Sequence, residues 1–241
     1  LSRFDAFNTI FPILHPYLAE FTDKPLFSFP FLFFKPSKSS GGSHKRIRVV
    51  VPGYVENIRR DYDTVIEAIE GLHSLRDSFE FILLGKPKGV YGSLVVGKAE
   101  KLNNLGYNIS YFDDWVDFDE WEKIMCSADV LLLPVRSLFE SVESNEFYGE
   151  SKCTGTVSNA IRFCKPFLIP EGCCVGDELS GMAHSYGSVD EVVSFLSRLK
   201  DNTGYLKLVK IEALDCAKRF DVDYFSHVLE SDVLSRVGDN F

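Results

Sequence analysis

The feature that most constrains the fold is an alternation of short apolar runs with helical patterns, which begins near Arg46. The apolar runs at 47–51, 79–84 and 130–134 are continuous, which is typical of strands buried on both faces of a parallel sheet. Helical segments separate them, as connections between parallel strands require. The pattern predicts an α/β fold with a doubly wound, Rossmann-like parallel sheet, whose ligands bind beyond the carboxyl ends of the strands.

The remaining elements continue this alternation. We expect helices over 59–75, 95–105, 119–127 and 157–164, a short helix over 177–182, strands at 108–112, 166–169 and 184–186, and helices from Val189, Gly204 and Val222.

The first 36 residues have a different pattern. Phenylalanines and leucines recur at steps of three and four, which predicts a helix running to about Phe21 in spite of Pro12 and Pro16. Residues 25–36 are Phe-rich and are predicted to be extended. This segment either packs on the main domain, or is the remnant of a neighbouring domain or a surface that docks to a partner or to a membrane.

Four segments follow from these patterns. Residues 37–44 are rich in Ser and Gly, which predicts a flexible linker. The main domain then occupies residues 45–220, and a terminal helix occupies 221–241. The chain begins with Leu1 rather than Met, which indicates processing or a longer natural polypeptide.

Composition excludes several partners. The net charge is −9 and the pI is near 5.1, so the chain lacks the basic surface that a nucleic acid requires. It contains no apolar run long enough to span a bilayer, so we expect at most peripheral membrane contact. Its six cysteines show no paired Cys-x-x-Cys spacing, which favours free thiols, a cytoplasmic location and no structural zinc.

One stretch, residues 148–170, contains the strongest candidate for a binding site. Gly149, Thr154, Gly155 and Thr156 precede a short helical run that ends before an apolar strand. Small residues at a helix start leave the first backbone N–H groups uncovered, and these groups suit a phosphate. Ser158 adds a further hydroxyl. The alternative is an ordinary helix cap beside a glycine.

The segment Thr-Gly-Thr-Val-Ser-Asn-Ala-Ile-x-Phe-x-Lys-Pro-Phe-Leu-Ile-Pro resembles the donor-binding half of GT-B-fold glycosyltransferases, family 4 and its relatives. In that family the helix start holds the diphosphate of a nucleotide-sugar donor. The resemblance implies a GT-B C-terminal domain and transfer of a sugar from a nucleotide diphosphate to an acceptor. It implies no metal and no cofactor.

A second matching stretch follows the first strand. Gly53 permits a tight turn, and guanidinium groups of Arg59 and Arg60 suit phosphate oxygens. The alternative is a solvated arginine pair bridged to neighbouring aspartates. By resemblance, Arg60 occupies the family's basic position on the donor phosphates, with Arg59 beside it, and both are expected to act in catalysis. Tyr54 stands where many members carry a second basic residue.

The next strand ends in Gly85 and Lys86, where the family closes one side of the donor pocket. Lys86 either faces phosphate or is solvated. Asp114 follows the third strand, and its position predicts a place at the base or ribose edge of the pocket. The Asp-x-Asp at 117–119 opens a helix, so we interpret it as a cap rather than as a metal site.

Family 4 members carry two glutamates around the phosphate-binding helix, and here Ser151 and Asn159 stand at those positions. Glu150 is the candidate catalytic replacement for the first, and Asn159 is expected to hydrogen-bond a ribose hydroxyl. The remaining glutamates before the helix are interpreted as a mobile charged loop. They are Glu140, Glu143 and Glu146.

Two functions from different classes remain. The first is a glycosyltransferase whose partners are a nucleotide-diphosphate sugar and an acceptor domain or second copy. The second is a non-catalytic module for nucleotide-sugar binding or protein interaction. The retained arginines favour the enzyme, whereas the altered glutamate positions favour the module.

Overall fold

The computed structural model describes residues 6–29, 34, 45–140, 145–228 and 230, so the linker expected at 37–44 and Glu143 lie outside the described residues. The strands are β1 (Phe7–Thr9), β2 (Leu26–Ser28), β3 (Ile47–Pro52), β4 (Phe79–Leu84), β5 (Ile109–Ser110), β6 (Val130–Leu132), β7 (Leu138–Glu140), β8 (Asn145–Phe147), β9 (Phe167–Pro170) and β10 (Ala183–Tyr186). The helices are α1 (His15–Ala19), α2 (Tyr62–Gly71), α3 (Gly89–Asn104), α4 (Phe118–Ser127), α5 (Gly155–Phe163), α6 (Val189–Asp201), α7 (Thr203–Ala217) and α8 (Val222–Val228). Short 3₁₀ turns lie at Pro12–Leu14, His73–Ser78, Asp177–Leu179 and Lys218–Phe220.

The main sheet is parallel, with the strand order β10-β9-β6-β3-β4-β5. The chain enters at the centre with β3, extends outward through β4 and β5, and then returns beside β3 to build the other half. This is the doubly wound Rossmann order, with its reversal between β3 and β6. The predicted α/β fold class is confirmed.

Two apolar layers cover the faces of the sheet. Val49 and Val51 point into one layer and Val50 into the other, because successive side chains of a strand face opposite sides. Helices α2, α3 and α6 fill the first layer, α4 and α5 fill the second, and α7 contributes to both. All three valines are fully buried, and such burial stabilises the fold by about 2 kcal/mol per side chain.

Helix α2 starts later than predicted. Asp61 caps it, since its carboxylate accepts a hydrogen bond from the Thr64 N–H at 3.3 Å. Arg59 and Arg60 therefore lie in the loop between β3 and α2, where Arg60 pairs with Val135 in an isolated bridge. The capping interpretation of Asp117 is correct, because its carboxylate accepts the Asp119 N–H at 2.9 Å at the start of α4.

The prediction of a long amino-terminal helix is wrong. Residues 7–9 form a strand, and α1 covers only 15–19, because each proline occupies the first turn of a new short element instead of lying inside one helix. Phe11 is buried in the second apolar layer, and the Phe34 N–H donates to the Phe220 carbonyl at 3.0 Å. These described parts of the segment pack on the main domain.

The charged loop before α5 also differs from expectation. Strands β7 and β8 form an antiparallel hairpin in which Phe139 stands opposite Glu146. The hairpin was missed because its three-residue strands carry no clear alternation of apolar and polar residues.

All six cysteines are free thiols, as expected. No helix of the described residues is both long and apolar enough to cross a bilayer.

Candidate functional site

A cleft of about 490 Å³ opens beside the carboxyl ends of β3 and β6. The reversal of strand order at this point parts the two neighbouring loops, and ligands of doubly wound sheets bind there. The cleft has the size of a small-molecule site. It is lined by Pro52, Gly53, Tyr54, Arg59, Arg60, Trp121, Val135, Tyr148, Lys152, Cys153, Thr154, Gly155, Thr156 and Asn159.

The start of α5 forms one wall of the cleft. Its N-cap residue, Thr154, makes no capping hydrogen bond, because its hydroxyl instead meets that of Thr156 at 2.9 Å. Gly155 is exposed, and no neighbouring atom lies within 4 Å of the position its Cβ would take. The first amides of the helix therefore face the cleft without side-chain cover, which favours an anion.

Arg60 also lines the cleft. Its guanidinium lies against Gly53, where a Cβ would approach Nη2 to 2.1 Å, so a side chain at position 53 would have to displace the guanidinium. The Nη1 atom is buried and has no hydrogen-bond partner. Burial lowers the pKa of Arg60, although a guanidinium stays protonated. A buried cation with a free donor is costly unless it meets an anion.

Arg59 is held in place by a neighbour. Its Nε donates to the carboxylate of Glu56 at 2.9 Å, and Glu56 is only 5% exposed. Glu56 holds the Arg59 side chain, and it was not among the predicted site residues. A carboxylate three residues before an arginine is a signal that was present in the sequence.

The structure brings together both stretches singled out from the sequence. The two arginines and the helix start line the same cleft, on loops that follow different strands. The predicted site residues in its lining are Gly53, Arg59, Arg60, Thr154, Gly155, Thr156 and Asn159.

Other predicted residues lie behind or beside the cleft. Gly85 supports its floor, because a Cβ there would come within 2.2 Å of the Gly53 carbonyl oxygen. Lys86 pairs with Asp114 at 2.5 Å, and the Asp114 side chain is 73% exposed. The Lys86 ammonium and the backbone N–H of Trp115 lower the pKa of the Asp114 carboxyl.

Three further predicted residues are placed outside the lining. Gly149 turns with φ +87° against the backbone of Cys174, a close approach that only glycine permits. The next residue, Glu150, is exposed in that turn. Ser158 is fully buried, with no partner for its hydroxyl.

Several lining residues were not predicted. Lys152 lies two residues before the N-cap of α5, and a cation so close to this candidate binding segment was a usable signal. Trp121 reaches the cleft from α4, where its ring packs on Phe163 with centroids 5.5 Å apart. Only the packing of α4 beside α5 places that ring, so the sequence contained no signal for it.

Comparison with solved structures identifies the fold. A variant of S. aureus TarM, solved with fondaparinux, alpha-GlcNAc-glycerol and UDP, matches 99% of this chain with a TM-score of 0.62 and 12% identity. This chain has the fold of a GT-B glycosyltransferase domain. The pneumococcal O-GlcNAc transferase GtfA, solved with UDP and GlcNAc, matches 99% with a TM-score of 0.63 and 15% identity.

The matches cover different shares of the solved chains. The chain spans 43% of that TarM chain and 46% of the GtfA chain. It spans 96% of the C-terminal domain of LpcC from Francisella tularensis, which matches 79% of this chain with a TM-score of 0.55 and 11% identity. No protein-family model and no curated protein matches the chain. At these identities the similarity shows the fold alone.

Proposed function

We propose that this chain is the donor-binding half of a metal-independent glycosyltransferase, and that its cleft holds the diphosphate of a nucleotide sugar. One observation carries the proposal. Arg60 lines the same cleft into which the uncovered amides of α5 open, and its buried Nη1 has no hydrogen-bond partner. Two converging positive groups at the switch point match a diphosphate in charge and position.

The proposed reaction moves a sugar between two oxygens. The bond from the anomeric carbon to the diphosphate oxygen breaks and leaves its electron pair on that oxygen, a bond to the acceptor oxygen forms, and the acceptor hydroxyl releases its proton to water. Negative charge grows on the leaving diphosphate, and Arg59, Arg60 and the amides of Gly155 and Thr156 stabilise it. Each well-placed donor of this kind contributes roughly 3 kcal/mol to catalysis.

We further propose that the nucleotide is a uridine diphosphate sugar. The support is that TarM and GtfA were solved with UDP. Asn159 lies in the lining, where its amide is suited to a ribose hydroxyl.

The acceptor half is proposed to come from a further segment or from a separate chain. The chain spans less than half of TarM and GtfA, which leaves room for such a half. We assign donor binding to residues 45–220, and to residues 1–36 a role next to the acceptor domain. Phe11 and Ile13 line a small cavity shared with Cys153 and Thr154, so this segment reaches the neighbourhood of the cleft.

The binding step is tested by thermal shift with UDP, GDP and their sugars. We expect a uridine nucleotide to raise the melting temperature, and Arg60→Ala to abolish that rise. Gly155→Val should also reduce it, because the new side chain enters the cleft without meeting protein atoms.

The matched control is Arg76→Ala, which removes an exposed arginine of the 3₁₀ turn at 73–78. Its nucleotide shift should equal that of the wild type. A shift that persists in both Arg60→Ala and Gly155→Val, or no shift with any nucleotide, would refute the donor site.

The second candidate function is a binding module without catalysis. It is favoured by Ser151 and Asn159 at the family's glutamate positions and by the exposed location of Glu150. Only the enzyme is expected to hydrolyse the bound nucleotide sugar slowly, so release of free UDP distinguishes the two candidates. Release that is lost in Arg60→Ala supports the enzyme, whereas tight binding without release supports the module.

A further inference from the structure

Lys152 is a third cation in the cleft, and its backbone is held rigidly. The Gly149 N–H donates to the Lys152 carbonyl at 2.7 Å, and the Lys152 N–H donates to the Phe147 carbonyl at 3.1 Å. These bonds tie the residue to the end of β8, two residues before the N-cap of α5. Lys152 therefore lines the cleft together with Arg59 and Arg60.

The Lys152 ammonium is held by the β7–β8 hairpin. It contacts the carboxylate of Glu146 and lies 4.5 Å from the ring centroid of Phe139. Glu146 and Phe139 are cross-strand partners, so both contacts come from the same place on the hairpin. The two charged side chains are 31% and 33% exposed. An ion pair with this exposure to water is weak and exchanges partners at small cost.

The cations of the cleft differ in their partners. Glu56 positions Arg59, Glu146 holds Lys152, and Arg60 keeps one buried donor unpaired. A diphosphate entering the cleft displaces no ion-pair partner from Arg60, whereas it must take Lys152 from Glu146. The Glu146 carboxylate carries the same sign of charge as the ligand, so the two compete for one ammonium.

We propose that Lys152 binds the diphosphate and that Glu146 restrains it, so this ion pair sets the affinity of the cleft for its ligand. The inference rests on the proposed function, because it assigns a further anion-binding residue to the same site. The diphosphate draws Lys152 away from Glu146 and toward the start of α5.

The test measures dissociation constants by calorimetry, with UDP and inorganic pyrophosphate as probes. Lys152→Met should weaken binding about tenfold, because a charge-assisted hydrogen bond is lost. Glu146→Gln should tighten it about threefold, because the ammonium is released at the cost of a weak surface pair. The matched control is Glu140→Gln, the same change on the other strand of the hairpin. It should leave both constants unchanged.

The double variant separates the mechanism from simple repulsion. If Glu146 acts through Lys152, Glu146→Gln has no effect in the Lys152→Met background. An equal gain in that background would mean that Glu146 repels the ligand directly, which would overturn the restraint. Wild-type affinity in Lys152→Met would overturn the role of Lys152.

Failure of the proposed function gives a different pattern. If pyrophosphate binds in a Lys152-dependent manner but no nucleotide does, the anion site stands and the sugar-nucleotide assignment falls. If nucleotide binding depends on Arg60 but responds to neither Lys152→Met nor Glu146→Gln, the proposed function stands and this inference falls. If neither probe binds, both fall.

Discussion

Arg60 and Lys165 are partly buried cations at opposite ends of the parallel sheet. Arg60 follows β3 at the carboxyl edge, and its Nη1 has no partner. Lys165 precedes β9 at the amino edge, where its ammonium donates to the carbonyls of Cys126 and Ala128 at 2.7 and 2.8 Å. One cation lines the cleft and has an unpaired donor, whereas the other ties α4 to the start of β9. Their partners, rather than burial alone, distinguish a binding residue from a structural one.

The largest expected effect that tests this comparison is on stability. Lys165→Met should lower the free energy of unfolding by about 3 kcal/mol, because two carbonyls lose their hydrogen-bond donor. The relieved cost of burying a charge offsets only part of this loss. Chemical denaturation measures it. UDP affinity should not change, since Lys165 lies at the other edge of the sheet. A loss of affinity in a folded variant would break the distinction.

The next largest expected effect is a change in the stability contribution of Lys165 with pH. Burial, followed by the charge of Lys210, lowers the pKa of Lys165 from 10.5 to about 8. Between these values the unfolded chain binds more protons at this group, so the contribution of Lys165 to stability grows as the pH rises. We expect the stability gap between the wild type and Lys165→Met to widen by on the order of 2 kcal/mol from pH 7 to 10.

Taking the difference between the two proteins cancels the contributions of the other titratable groups. Denaturation curves at four pH values measure the gap. A stability gap that narrows with rising pH would show that the pKa of Lys165 is not lowered in the folded protein.

The smallest expected effect is the change in stability of the ligand-free protein when Arg60 is replaced. Arg60→Met should raise the stability of the ligand-free protein by about 1 kcal/mol, because a buried charge without a full set of partners is removed while an apolar stem remains. Urea denaturation measures this gain. The same variant should lose its thermal response to UDP, and reduced stability would show that the guanidinium has a structural role.

The sequence was sufficient for the architecture because the sheet is encoded locally. Each buried strand is a continuous apolar run, and each cap, such as Asp117 in front of α4, lies beside the helix it starts. The segment around Gly155 was also recognisable, because small residues before a helix expose its amides. These signals lie within a few residues of the structure that they determine.

The parts that sequence reasoning missed depend on distant neighbours. Pro12 and Pro16 were placed inside one helix, although they begin separate elements whose position depends on packing against the second apolar layer. The ion pair of Lys152 depends on a hairpin with very short strands. Trp121 reaches the cleft only because α4 packs beside α5.

The order of apolar runs and helical segments by itself determined a doubly wound sheet, since continuous apolar strands must be covered on both faces. Only the tertiary structure decided which side chains meet. It brought Arg60 and the start of α5 into one cleft where the strand order reverses between β3 and β6, and it left Nη1 of Arg60 without a partner. A local pattern specifies which elements form, whereas the pairing of charges depends on which loops the sheet brings together.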